Sequence, residues 1–90
     1  MLTVHKHLLD WQAETRLTLQ ASAQLVHVDR DTREPDKIAL WFVVQVSRVM
    51  DDVRTFHIVG TGHPIPSGTE HVGSVRMEPY IWHVVEEQRT

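Results

Sequence analysis

The sequence predicts an all-β fold of about seven short antiparallel strands, arranged as a small sandwich or partly open barrel. Three observations carry this. Apolar residues recur with a period of two rather than 3.6. Clusters of Gly, Pro, Asp and Ser separate short runs along the whole chain. One run, Lys37 to Val46, is apolar on both faces, as a central strand must be.

Thr3 to Leu9 opens the series, with Val4, Lys6 and Leu8 on one face and His5, His7 and Leu9 on the other. Asp10 to Thr15 is polar and reads as a turn. Arg16 to Gln20 alternates Leu17 and Leu19 against Thr18 and Gln20. A helix over Asp10–Gln20, with Asp10 as N-cap, is the weaker reading of that segment, because the alternation and the threonines favour a strand. Gln24 to Asp29 is the third strand, and Asp29 to Asp36 a solvated loop. After Lys37–Val46, Ser47 to Asp52 reads as a polar turn, and Val53 to Val59, Glu70 to Met77 and Tyr80 to Glu86 complete the set. The expected core is Val26, Val28, Ile38, Leu40, Phe42, Val44, Phe56, Ile58, Val75, Trp82 and Val84. Trp41 and Trp82 read as core or interface anchors, Trp11 as an exposed contact.

The 90 residues suit one domain with a modest core, a size at which self-association often assists stability. There is no cysteine, which excludes disulfides, a thiolate nucleophile and Cys-ligated zinc. Net charge is −3 with dispersed Lys and Arg, so direct nucleic-acid binding through phosphate neutralisation is not expected. The longest apolar run, Ile38 to Val44, is far short of the roughly 20 residues of a membrane-spanning helix. The N-terminal residues contain no uninterrupted apolar stretch of the kind a signal peptide needs. No membrane association is expected.

The most specialised segment is Gly60-Thr61-Gly62-His63-Pro64-Ile65-Pro66-Ser67-Gly68, too rich in Gly and Pro for a plain hairpin turn. Glycines can align successive N–H groups into a concavity for a phosphate or carboxylate. Thr61 and His63 would add side-chain donors. No P-loop follows and no dinucleotide fingerprint surrounds it. The alternative is a wide connection with glycines at positive φ and prolines stiffening the exit.

Seven histidines raise the question of metal. His5 and His7 lie at i, i+2 on one strand face, a two-ligand arrangement for zinc that His57 or His83 could complete. No H-E-x-x-H or comparable spacing occurs, and half-buried or exposed imidazoles account for the pattern better. Catalysis finds less support: no nucleophile elbow occurs, and a His63/His83 acid–base pair oriented by Glu70 or Glu86 is imaginable but not required by spacing. No cofactor is expected.

Val4-His5-Lys6, Phe56-His57-Ile58-Val59-Gly60-Thr61-Gly62-His63-Pro64-Ile65, Glu70-His71-Val72-Gly73-Ser74-Val75 and Trp82-His83-Val84 together resemble a family of small uncharacterised bacteriophage and prophage proteins, many from actinobacteria. The resemblance implies a small phage accessory protein acting in the host cytoplasm. By analogy of genome type, it implies a non-catalytic, homo-oligomeric binding protein that counters host defence. Its ligand would be a nucleotide-like small molecule or a host protein, met by Gly60, Thr61, Gly62 and His63, with His57 and His83 nearby and a tryptophan such as Trp82 stacking on a base. The other readings are a structural or virion-associated protein and a His-dependent metal enzyme.

Overall fold

The computed structural model describes residues 1–11 and 14–88, so Gln12 and Ala13 of the predicted Asp10–Thr15 turn lie outside the described residues. Seven strands form: β1 (Leu2–Leu8), β2 (Thr15–Gln20), β3 (Gln24–Arg30), β4 (Ile38–Gln45), β5 (Met50–Gly60), β6 (Thr69–Met77) and β7 (Tyr80–Glu87). They make two antiparallel sheets, ordered β1-β4-β3 and β2-β5-β7-β6, with no helix among the described residues and no closed barrel. The all-β reading holds, and β4, the strand apolar on both faces, is central in its sheet.

Core side chains come from alternate positions. Ile38, Leu40, Phe42 and Val44 of β4 face Leu19, Phe56, Val75 and Val84 of the opposite sheet in one buried cluster. Phe42 and Phe56 meet edge-on across it, centroids 6.1 Å apart. Each such fully buried side chain contributes about 1.5–3 kcal/mol. Leu9, just past β1, is 1% exposed. It is held by its own N–H donating to the Ile38 carbonyl at 2.9 Å.

Three details differ from the sequence reading. Val26 is 49% exposed rather than core, because the register of β3 against β4 shifts between Leu25 and His27. The extra residue there turns Val26 outward. Met50 to Asp52 belong to β5 and not to a turn, since they pair with the end of β2. Arg54, a charged residue in an alternating strand, points inward and is 7% exposed.

The decisive topological feature is the β5–β6 connection. Both strands pair antiparallel to β7, one on each side of it, so they run parallel to each other. Gly60 lies level with Trp82, at the start of β7, and Thr69 level with Glu87, at its end. Residues 61–68 must therefore travel the length of β7 across one face of the sheet. The inner face is filled by the core, so the strap lies on the outer one. There Val59 and Val85, which point away from the core by alternation, are 8% and 0% exposed. The Gly68 carbonyl accepts the Gln88 N–H at 2.8 Å and fixes the strap's exit.

Candidate functional site

Beneath the strap is a cavity of about 240 Å³ bounded by Val59, Gly60, Thr61, Gly62, His63, Ile65, His71 and His83. Sequence alternation and strand order build it together. Val59, His83 and Ser74 are neighbours in one row across β5, β7 and β6, and Val85 and His71 are neighbours in the next. All point to the outer face, where Val59 and Val85 are buried and His83 half-buried, while His71 and Ser74 stay exposed at the strap's edge.

The polar groups at the cavity form one chain. The Thr61 hydroxyl donates to the Ile81 carbonyl at 2.9 Å and lies 3.0 Å from His83 Nε2. With its single proton given to Ile81, Thr61 can only accept from His83, which assigns the proton to Nε2. His83 Nδ1 is then an acceptor, 2.9 Å from Ser74 Oγ and 3.1 Å from His71 Nε2. Ser74 Oγ and His71 Nε2 are themselves 3.1 Å apart. Two imidazoles and two hydroxyls are thus preset around an apolar floor.

The glycines have specific tasks. A side chain on Gly60 would meet His63 Nδ1 at 3.1 Å and the Trp82 ring at 3.2 Å, so its absence lets both rings close on the backbone. Gly62 has φ 87°, the left-handed region glycine enters without penalty. The His63 N–H donates to the Gly60 carbonyl at 3.1 Å. It is turned back into the loop, which removes one amide from the expected anion concavity.

Of the residues singled out in the sequence, the fold gathers Gly60, Thr61, Gly62, His63 and His83. Trp82 lies against Gly60 but does not line the cavity: adjacent to His83 in a strand, it faces the core side and packs edge-on against Trp11 and Tyr80 at 5.3 and 5.8 Å. His57 shares the outer face but lies nearer Glu87, 3.3 Å away. His71 joins the cavity and Ser74 lies at its edge beside His71 and His83, although neither was a candidate; only the pairing of β6 with β7 brings them there. Glu86, one imagined orienting carboxylate, is on the inner face and bound to Arg54. Glu70 pairs with Glu86 and shares that side, so neither reaches His83.

His5 and His7 lie on the inward face of β1, opposite Phe42 and Leu40. His7 packs edge-on against Phe42 at 5.7 Å, and its Nε2 is buried without a hydrogen-bond partner. Burial, reinforced by the neighbouring His5, pushes its pKa below the usual imidazole value. Among the described residues, neither joins a third metal-ligating side chain. Among the described residues, the group that does have ligand spacing is Glu14, just before β2, with His57 of β5 and Glu87 of β7, their ligand atoms all within 4.8 Å of one another. A carboxylate–imidazole–carboxylate set of this kind could hold a divalent cation. One of its members, Glu14, is also 3.2 Å from the Arg16 guanidinium.

No curated protein and no solved structure significantly matches the chain. A family described as a domain of unknown function, DUF7352, matches residues 1–90 in full, and the chain belongs to that family.

Proposed function

We propose that this chain is a binding module without catalytic activity, holding a nucleotide-like small molecule under the Gly60–Ser67 strap. The biological setting we propose is the phage-type accessory role in the host cytoplasm, directed against host defence, that its sequence pattern resembles. The observation that supports this reading most is the preset cavity itself. A strap that could have been a bare connection instead roofs an apolar floor edged by Thr61, His63, His71 and His83. Apolar walls with a few convergent polar groups are what small-molecule sites require. The cavity, about 240 Å³, suits one ring-sized part of a ligand. The imidazoles and Thr61 supply its hydrogen bonds.

A thermal-shift panel of nucleotides tests this. A ligand at 100-fold its dissociation constant should raise the melting temperature by about 10 °C or more for a domain of this size. His83→Asn should abolish that shift. Absence of any shift across mono-, di- and cyclic nucleotides would overturn the nucleotide reading.

A host protein gripped by the same loop is the second reading, favoured by Ile65, 54% exposed at the strap's crest. In that case His63→Ala would cost capture of the partner while nucleotides do nothing. Self-association is proposed through the outer face of the three-stranded sheet, where Val4 pairs with Val43 between Leu2 and Trp41 on the same face, and Leu2 and Val4 are 68% and 54% exposed. Sedimentation of wild type against Val4→Lys reads it directly.

A further inference from the structure

We propose that the aromatic corner formed by Trp11, Tyr80 and Trp82, at the end of the sandwich, is a binding site for a quaternary or methylated ammonium group. It stands apart from the strap cavity and does not depend on it. Three segments distant in sequence converge there. Trp11 comes from the β1–β2 connection, Asp36 from the β3–β4 loop, and Glu78, Tyr80 and Trp82 from the β6–β7 hairpin, around a groove of about 600 Å³.

The ring geometry makes walls rather than a stack. The planes of Trp11 and Tyr80 stand at 70° and 63° to that of Trp82, with centroids 5.3 and 5.8 Å from it. A compact cation set in such a corner meets more than one π-face, the arrangement that attracts ammonium groups too bulky to hydrogen-bond. Trp11 is fixed in place, because its indole N–H donates to the Asp36 carbonyl at 2.8 Å. That bond also occupies the only hydrogen-bond donor of the ring, leaving its π-face as the recognition surface. Trp11 and Tyr80 nevertheless remain 47% and 62% exposed, a large aromatic area with nothing over it.

Charge at the rim is balanced between Asp36 and Arg30, so the rings carry the recognition and the two charges tune it. The Asp36 carboxylate makes no ion pair among the described residues, while Glu78 is already bound by Arg76 at 2.8 Å. Arg30 also lines the groove and is the one feature that opposes a cation. It is not stacked on any of the three rings, where a guanidinium would have blocked the site; Arg54 alone makes such contacts among the described residues. Its like charge predicts a specific result: Arg30→Ala should tighten binding of a cation and weaken binding of an anion.

The test is an NMR titration of the full chain, following the Trp11 and Trp82 indole N–H signals. The probes are choline, its uncharged tert-butyl isostere, and a peptide carrying trimethyl-lysine beside the same peptide with plain lysine. The expected result is saturable shifts with choline or the methylated peptide, about tenfold weaker for the uncharged isostere. Tyr80→Leu and Asp36→Asn should each weaken binding several-fold, and Arg30→Ala should strengthen it. Tighter binding of the methylated peptide would assign the group to a protein partner; choline binding as tightly or more so would assign it to a free metabolite. Equal affinity for the uncharged isostere overturns the proposal, as does the absence of shifts with either cation. Because Tyr80 is exposed, loss of binding in Tyr80→Leu is separable from misfolding by its unchanged amide spectrum elsewhere.

Discussion

Arg54 and Glu86 form a two-bond fork inside the sandwich, Nε to Oε2 at 2.6 Å and Nη2 to Oε1 at 2.8 Å. The third nitrogen, Nη1, donates to the Ala23 carbonyl at 2.7 Å, and the guanidinium carbon lies 5.3 Å from the Phe42 ring centre. The Glu86 carboxylate raises the pKa of Arg54 further, against the opposing effect of burial. Removing one partner leaves a buried charge without its counterpart, so Glu86→Gln should destabilise by about 3–5 kcal/mol. Arg54→Met with Glu86→Leu together should recover most of that loss. Urea unfolding of the single and double variants checks it; a Glu86→Gln cost under about 1 kcal/mol would show the fork to be solvated.

His7 predicts a pH dependence. Its folded pKa lies below the ordinary imidazole value of 6.5, so the unfolded chain takes up a proton that the folded chain resists. The stability from keeping this ring neutral is present above pH 6.5 and is lost as pH falls toward the folded pKa. Wild type should therefore lose melting temperature between neutral and mildly acid pH, and His7→Leu should lose less. Parallel curves for the two proteins across that window would remove His7 from the account.

Asp31 acts in the same direction, at lower pH. Its carboxylate, 3% exposed, accepts from Lys6 Nζ at 2.5 Å and from the Glu34 and Arg33 N–H groups at 2.9 and 3.2 Å. The Lys6 bond, then the Glu34 amide, hold its pKa below 3.8, with burial opposing. A depressed carboxyl stabilises the fold above its unfolded pKa and loses that contribution as pH falls through the folded one. Asp31→Asn should therefore be less stable than wild type at neutral pH, with the gap closing in strong acid. A gap that persists unchanged into acid would mean the loop needs the side chain's shape and not its charge.

The strands were legible because alternation survives in the sequence, and β4 announced its central place by being apolar on both faces. The strap was legible as unusual from its glycines and prolines. Its path was not, since crossing β7 follows from strand order, which no local pattern encodes. His71 was hidden for the same reason, being brought to His83 only by pairing across strands. Trp82 is a different case. Adjacent strand residues face opposite ways, so alternation alone separates it from His83. Arg54 was missed because a charged residue in a strand reads as outward until its partner, Glu86, is seen beside it.

Gly73 and Val28 give the sharpest test of how the two sheets close. A side chain on Gly73 would lie 2.6 Å from Val28 Cβ and 2.7 Å from its Cγ2, at the place where β3 crosses β6. Nothing flexible can yield there, because the obstructing atoms are the branch point of a valine. Gly73→Ala should destabilise by about 1–3 kcal/mol through overpacking. Val28→Gly removes every obstructing atom, Cβ included, so the cost of Gly73→Ala should be smaller in a Val28→Gly background than in wild type. Gly62→Ala is the control: its missing Cβ meets no atom within 4 Å, and only its φ of 87° resists substitution. That change should cost about 1 kcal/mol, the same in either background. If the Gly73→Ala cost is also indifferent to Val28→Gly, the close approach of β3 and β6 is not what excludes a side chain at position 73.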